Sequence, residues 1–146
     1  MKKILASTAL IASLIAPSIL SAGQVKGLNV LVNSSNPQTQ AMAMVLSLMT
    51  IKTHNKEVNI ILCGEAGDLA DKNIKGVPVQ RPNGTSPSAK DHLLVLIKEG
   101  AKVEVCPLYL PNSGKDKTSL LEGVTIANPP LVAGKLLSNM YQTVSF

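Results

Sequence analysis

Two cysteines are the strongest nucleophiles in this chain, and one of them stands where α/β proteins keep their chemistry. Cys106 closes the stretch Gly100-Ala-Lys-Val-Glu-Val-Cys106-Pro-Leu. Ala101 to Val105 alternates small or apolar with charged residues and reads as a strand. Gly100 fits the cap of a preceding helix, and Pro107 stops the ladder because it has no N–H to give. Ligands and catalytic groups gather at the carboxyl ends of strands in open α/β sheets, which makes Cys106 the first candidate for a working residue. A thiol there becomes reactive as the thiolate, favoured by a nearby cation. Arg81, Lys90, Lys115 and Lys117 are the cations whose positions suit that role.

Cys63 ends a second strand, Val58-Asn-Ile-Ile-Leu-Cys63, on the same side of the sheet. If another strand separates the two, their Cα atoms stand roughly 9–10 Å apart by strand spacing, too far for an unstrained bridge. If the strands are neighbours, a disulfide or a reversible redox pair becomes open to them. Our reading takes them as separate thiols, with Cys63 auxiliary or structural.

Other residue patterns offer less. His54 and His92 lie far apart in sequence, without the spacing of a metal site. Met42, Met44 and Met49 fit helical packing better than soft-metal binding. Glu65, Asp68 and Asp71 read as a solvated acidic face. We find no phosphate-binding glycine loop, no Ser/His/Asp set and no cofactor motif. The chain has no Trp, one Phe and two Tyr, and its basic residues are scattered singly, which excludes the stacking platform and basic groove of a nucleic-acid binder.

The elements that hold the cysteines follow from pattern. Leu28–Asn33 reads as a buried first strand. Asn36 caps and Pro37 opens a long helix bearing Ala41, Met44, Val45, Leu48 and Met49 at helical spacing. Glu65 to Asp71 reads as a short helix, and Lys72 to Lys90 as a long surface loop holding three prolines and the only arginine. A helix over Pro87–Glu99, capped by Ser86, leads into the Cys106 strand. A short helix over Thr118–Leu121, a strand at Val124–Ala127, a helix over Pro129–Met140 and a strand at Gln142–Phe146 complete the chain. This alternation predicts an α/β fold with a mostly parallel sheet of about five strands, covered on both faces.

Lys2 and Lys3 before the apolar run Ile4–Ala16, with small residues at Ser21-Ala22-Gly23, have the form of a bacterial signal peptide over residues 1–22. Its removal leaves residues 23–146 as one domain, takes the formal net charge from +5 to +3, and leaves no membrane anchor. The expected location is the periplasm or the exterior.

The run Gly100 to Cys106, the element Leu120-Leu-Glu-Gly-Val124, a following helix and the closing Val144-Ser-Phe146 together resemble the second half of DsrE/DsrF-like proteins. The short strand, long apolar helix and second strand before them fit the first half. The resemblance covers nearly the whole mature domain. It implies a small three-layer α/β/α protein that forms homo- or hetero-oligomers. It also implies a persulfide carried on the cysteine matching Cys106, which would make the chain a sulfurtransferase or sulfur carrier working with a donor or acceptor protein. The alternative is a non-catalytic oligomeric module that binds a small ligand or partner in the same crevice. A homo-oligomer is also expected because the helix from Pro37 to Lys52 is more apolar than one buried face requires.

Overall fold

Aliphatic residues at every second position build the sheet, and the helices between strands cover it. The computed structural model describes residues 25–146, so residues 1–22, read above as a signal peptide, lie outside the described residues. In chain order the elements are β1 (Gly27–Val32), α1 (Pro37–Lys52), β2 (Glu57–Leu62), a 3-10 helix (Gly64–Ala70), β3 (Val79–Arg81), β4 (Gly84–Ser86) and α2 (Ala89–Lys98). There follow β5 (Lys102–Val105), α3 (Tyr109–Asn112), a second 3-10 helix (Lys117–Ser119), β6 (Val124–Ile126), α4 (Pro129–Leu136) and β7 (Tyr141–Ser145). Five strands form one sheet in the order β6-β5-β2-β1-β7, each parallel to its neighbours. Helices lie on both faces, giving the three-layer α/β/α architecture read from the sequence.

Strand periodicity separates the two faces. Val30, Val32, Val58, Ile60, Leu62, Val103 and Val105 point to one side and form the core with Ala41, Ala43 and Met44 of α1 and Leu93 and Leu96 of α2. The other face carries buried Asn29 and Asn59 beneath α4, none of whose residues is buried. Each amide there finds a partner, as buried polar groups require. Asn59 Nδ2 donates to Asn29 Oδ1 at 3.0 Å, and Asn29 Nδ2 donates to the Lys135 carbonyl at 2.8 Å. The Lys135 ammonium pairs with Glu104 of β5, which ties α4 to the sheet a second time.

Local chemistry explains most boundaries. Asn36 Oδ1 accepts from the N–H groups of Gln38 and Thr39, and Pro37 occupies the first turn where its missing N–H costs nothing. Gly100, with φ of 89°, follows the end of α2 in the left-handed conformation that turns the chain into β5. Three expectations need correction. The stretch 72–90 is not all loop, because β3 and β4 pair antiparallel as a hairpin. The cap of α2 is Ser88 and not Ser86: Ser88 Oγ accepts from Asp91 N–H while the Asp91 carboxylate accepts from Ser88 N–H, a closed capping box. α4 ends at Leu136, four residues early, and a turn at Ser138 leads into β7.

Candidate active site

Hydrogen bonds of the sheet carry the two cysteines one residue beyond their strands and hold them side by side. Leu62 of β2 stands opposite Val105 of β5, so the next residues, Cys63 and Cys106, face one another. Cys63 N–H donates to the Val32 carbonyl and Cys106 N–H donates to the Leu62 carbonyl, each at 2.8 Å. The strands are therefore neighbours, and the arrangement with a third strand between them does not apply. Both cysteines are free and half-buried. Burial pushes the Cys63 thiol up to about 11, with the charge of Cys106 and a thiol–thiol hydrogen bond acting in the same direction.

Two clefts open at this point. One, of roughly 460 Å3, lies between the 3-10 helix and α3 and is lined by Glu65, Asp68, Cys106, Leu108 and Tyr109. The other, of roughly 440 Å3, lies under α4 and is lined by Ile61, Cys63, Cys106, Val132 and Leu136. Cys106 borders both and Cys63 only the second. The second cleft is almost wholly apolar in its lining.

A polar network that the sequence did not announce backs the first cleft. Tyr109 hydroxyl donates to Asp68 Oδ1 at 2.7 Å and accepts from the Lys115 ammonium at 2.9 Å. Lys115 pairs with Asp71 at 2.8 Å and lies 5.3 Å from the centre of the Tyr109 ring. Burial works to raise the Asp71 carboxyl, but the Lys115 ammonium and the Asn73 N–H outweigh it and hold the group below the usual range. Hydrogen bonds to Asp71 and Tyr109 in turn push the Lys115 ammonium up. Gly67 is required here, since a Cβ would stand 2.3 Å from the Tyr109 ring.

The cations expected near Cys106 have other partners or positions. Lys115 is held by its carboxylates, and Arg81 and Lys117 are exposed on β3 and the second 3-10 helix. Lys90 is buried, not on a surface loop, and its ammonium donates to the carbonyls of Asp71 and Ile74. Burial pushes its pKa down. Among the described residues neither cleft is lined by a lysine or arginine. The acidic group also divides: Asp71 is buried, whereas Glu65 and Asp68 are exposed at the first cleft. His54 is exposed beside the amino end of β1, and His92 lies in the first turn of α2 with Nδ1 2.9 Å from the Ser88 carbonyl. Met44 is in the core, and Met42 and Met49 are exposed on α1.

No family model and no curated protein matches the sequence. Solved structures do match its fold. The ychN protein from E. coli superposes with a TM-score of 0.62 at 18% identity, over 82% of this chain and 99% of that one. MTH1491 from Methanobacterium thermoautotrophicum, a protein of unknown function, superposes with a TM-score of 0.61 at 10% identity, over 82% of this chain and 98% of that one. The chain thus has a DsrE-like fold, the fold of ychN.

Proposed function

We propose that this chain is an exported sulfur-handling protein in which Cys106 carries sulfane sulfur as a persulfide. The observation that carries the reading is the place of Cys106, at the carboxyl end of β5 where both clefts meet. Its thiolate attacks the outer sulfur of a donor persulfide. A bond forms between Sγ and that sulfur, the donor S–S bond breaks, and the donor leaves as a thiolate with the bonding electron pair. A thiol open to two clefts has room to take sulfur from one molecule and pass it to another. We propose a homo-oligomer as the working form, and a sulfur donor or acceptor protein as partner.

Intact-mass measurement after exposure to a sulfane donor tests the assignment. The Cys106→Ser variant should gain no sulfur, whereas wild type should react. A Cys106→Ser variant that itself gains one sulfur would end the carrier reading. The apolar cleft under α4 then favours the second reading, a module that binds a small apolar ligand without reacting with it.

A further inference from the structure

We propose that Cys63 is a resolving thiol, so that the pair reduces sulfane sulfur to hydrogen sulfide and becomes a disulfide. The inference deepens the carrier role of Cys106 and rests on it. Three observations carry it. The cysteines follow directly opposed residues of neighbouring parallel strands, and the backbone bonds at both keep them in the ladder. In-register neighbours stand about 4.8 Å apart, inside the Cα separation that a disulfide spans. Both thiols line the same apolar cleft.

The order of events follows from access. Cys106 borders both clefts and reacts first, taking sulfur from a persulfide donor as above. Cys63 borders only the cleft under α4 and keeps its proton at neutral pH because of burial. Its sulfur faces Cys106 Sγ, the inner atom of the persulfide. Attack there forms the Cys63–Cys106 bond and breaks the persulfide bond. The outer sulfur leaves as hydrogen sulfide, taking the proton of Cys63 together with its own. The sulfane sulfur gains two electrons, and the two thiol sulfurs together lose two. An external dithiol then returns the pair to its reduced form by thiol–disulfide exchange and leaves as its own disulfide. A carrier with a single thiol has no such internal reductant.

The test uses the reduced mature domain, freed of reductant, without oxygen, and given glutathione persulfide. Wild type should release hydrogen sulfide stoichiometrically above a protein-free control, lose two hydrogens in intact mass, and yield a peptide linking Cys63 to Cys106 in a non-reducing digest. Cys63→Ser should instead hold one added sulfur on Cys106 and release hydrogen sulfide only at the control rate. A wild type that keeps its persulfide with no linked peptide overturns the resolving role and leaves the carrier reading standing. A Cys106→Ser variant that itself gains one sulfur overturns the carrier reading. Because the wild-type arm needs no substitution, misfolding of either variant does not protect the proposal.

Discussion

At the scale of single residues, the raised Cys63 thiol makes a pH dependence that can be measured. Burial is its first cause, followed by the charge and hydrogen bond of Cys106. A folded thiol that holds its proton up to about 11 binds more protons than an unfolded one, whose pKa is about 8.5. The associated stability is therefore complete below the unfolded value and is lost as pH rises through the folded one. Iodoacetamide labelling of Cys63 in wild type should accelerate with a midpoint near 11. In Cys106→Ser the midpoint should fall but stay above that of an ordinary thiol, since burial remains. An ordinary midpoint in that variant would show that Cys106, and not burial, sets the shift. Cys106 itself was visible in the sequence because alternation stops there against Pro107. The buried pairing of Asp71 with Lys115 was not. Acidic residues in a glycine-containing stretch read as solvated, and Asp71 is buried by a bridge to Leu120 that only the folded chain forms.

At the scale of elements, α1 carries an apolar stripe that nothing in the described chain covers. Met42, Leu46 and Met49 follow helical spacing and keep 53%, 45% and 43% of their surface exposed. We propose that a second copy of the domain packs on this stripe. Light scattering on the mature domain should return a multiple of the monomer mass, and Met42→Lys with Met49→Lys should shift it toward the monomer. A wild-type monomer at micromolar concentration would remove the oligomer. Long periodic elements such as α1 and β2 were legible because many residues vote for one period. The hairpin of β3 and β4 was not, since two three-residue strands are too short to show alternation and Pro78, Pro82 and Pro87 read as loop. At the start of α2 two rules competed. Pro87 in the first turn pointed to Ser86 as cap, whereas Ser88 three residues before Asp91 has the capping-box pattern, and the reciprocal bonds decide for Ser88.

At the scale of the whole molecule, strand number and direction could be read from alternating helices and strands, but strand order could not. That order places β2 beside β5 and so makes partners of the two cysteines. The proposed export is decided by N-terminal sequencing of protein from the native host. The expected start is Gly23-Gln24-Val25, four residues ahead of β1, and an intact Met1 on a cytoplasmic product would refute it. The same sheet order has a kinetic consequence. β7 pairs along the length of β1, Gly27 opposite Tyr141 through Leu31 opposite Ser145, and the Phe146 N–H reaches back to the Leu31 carbonyl. Contacts so distant in sequence make loop closure slow, so the fold matures only when its last strand docks. Until then β1 presents a bare edge of backbone donors and acceptors, a template on which other chains can polymerise. If the chain is exported as proposed, such late closure would keep it extended for passage through a membrane pore, and the hazard would be the interval between emergence of β1 and arrival of β7.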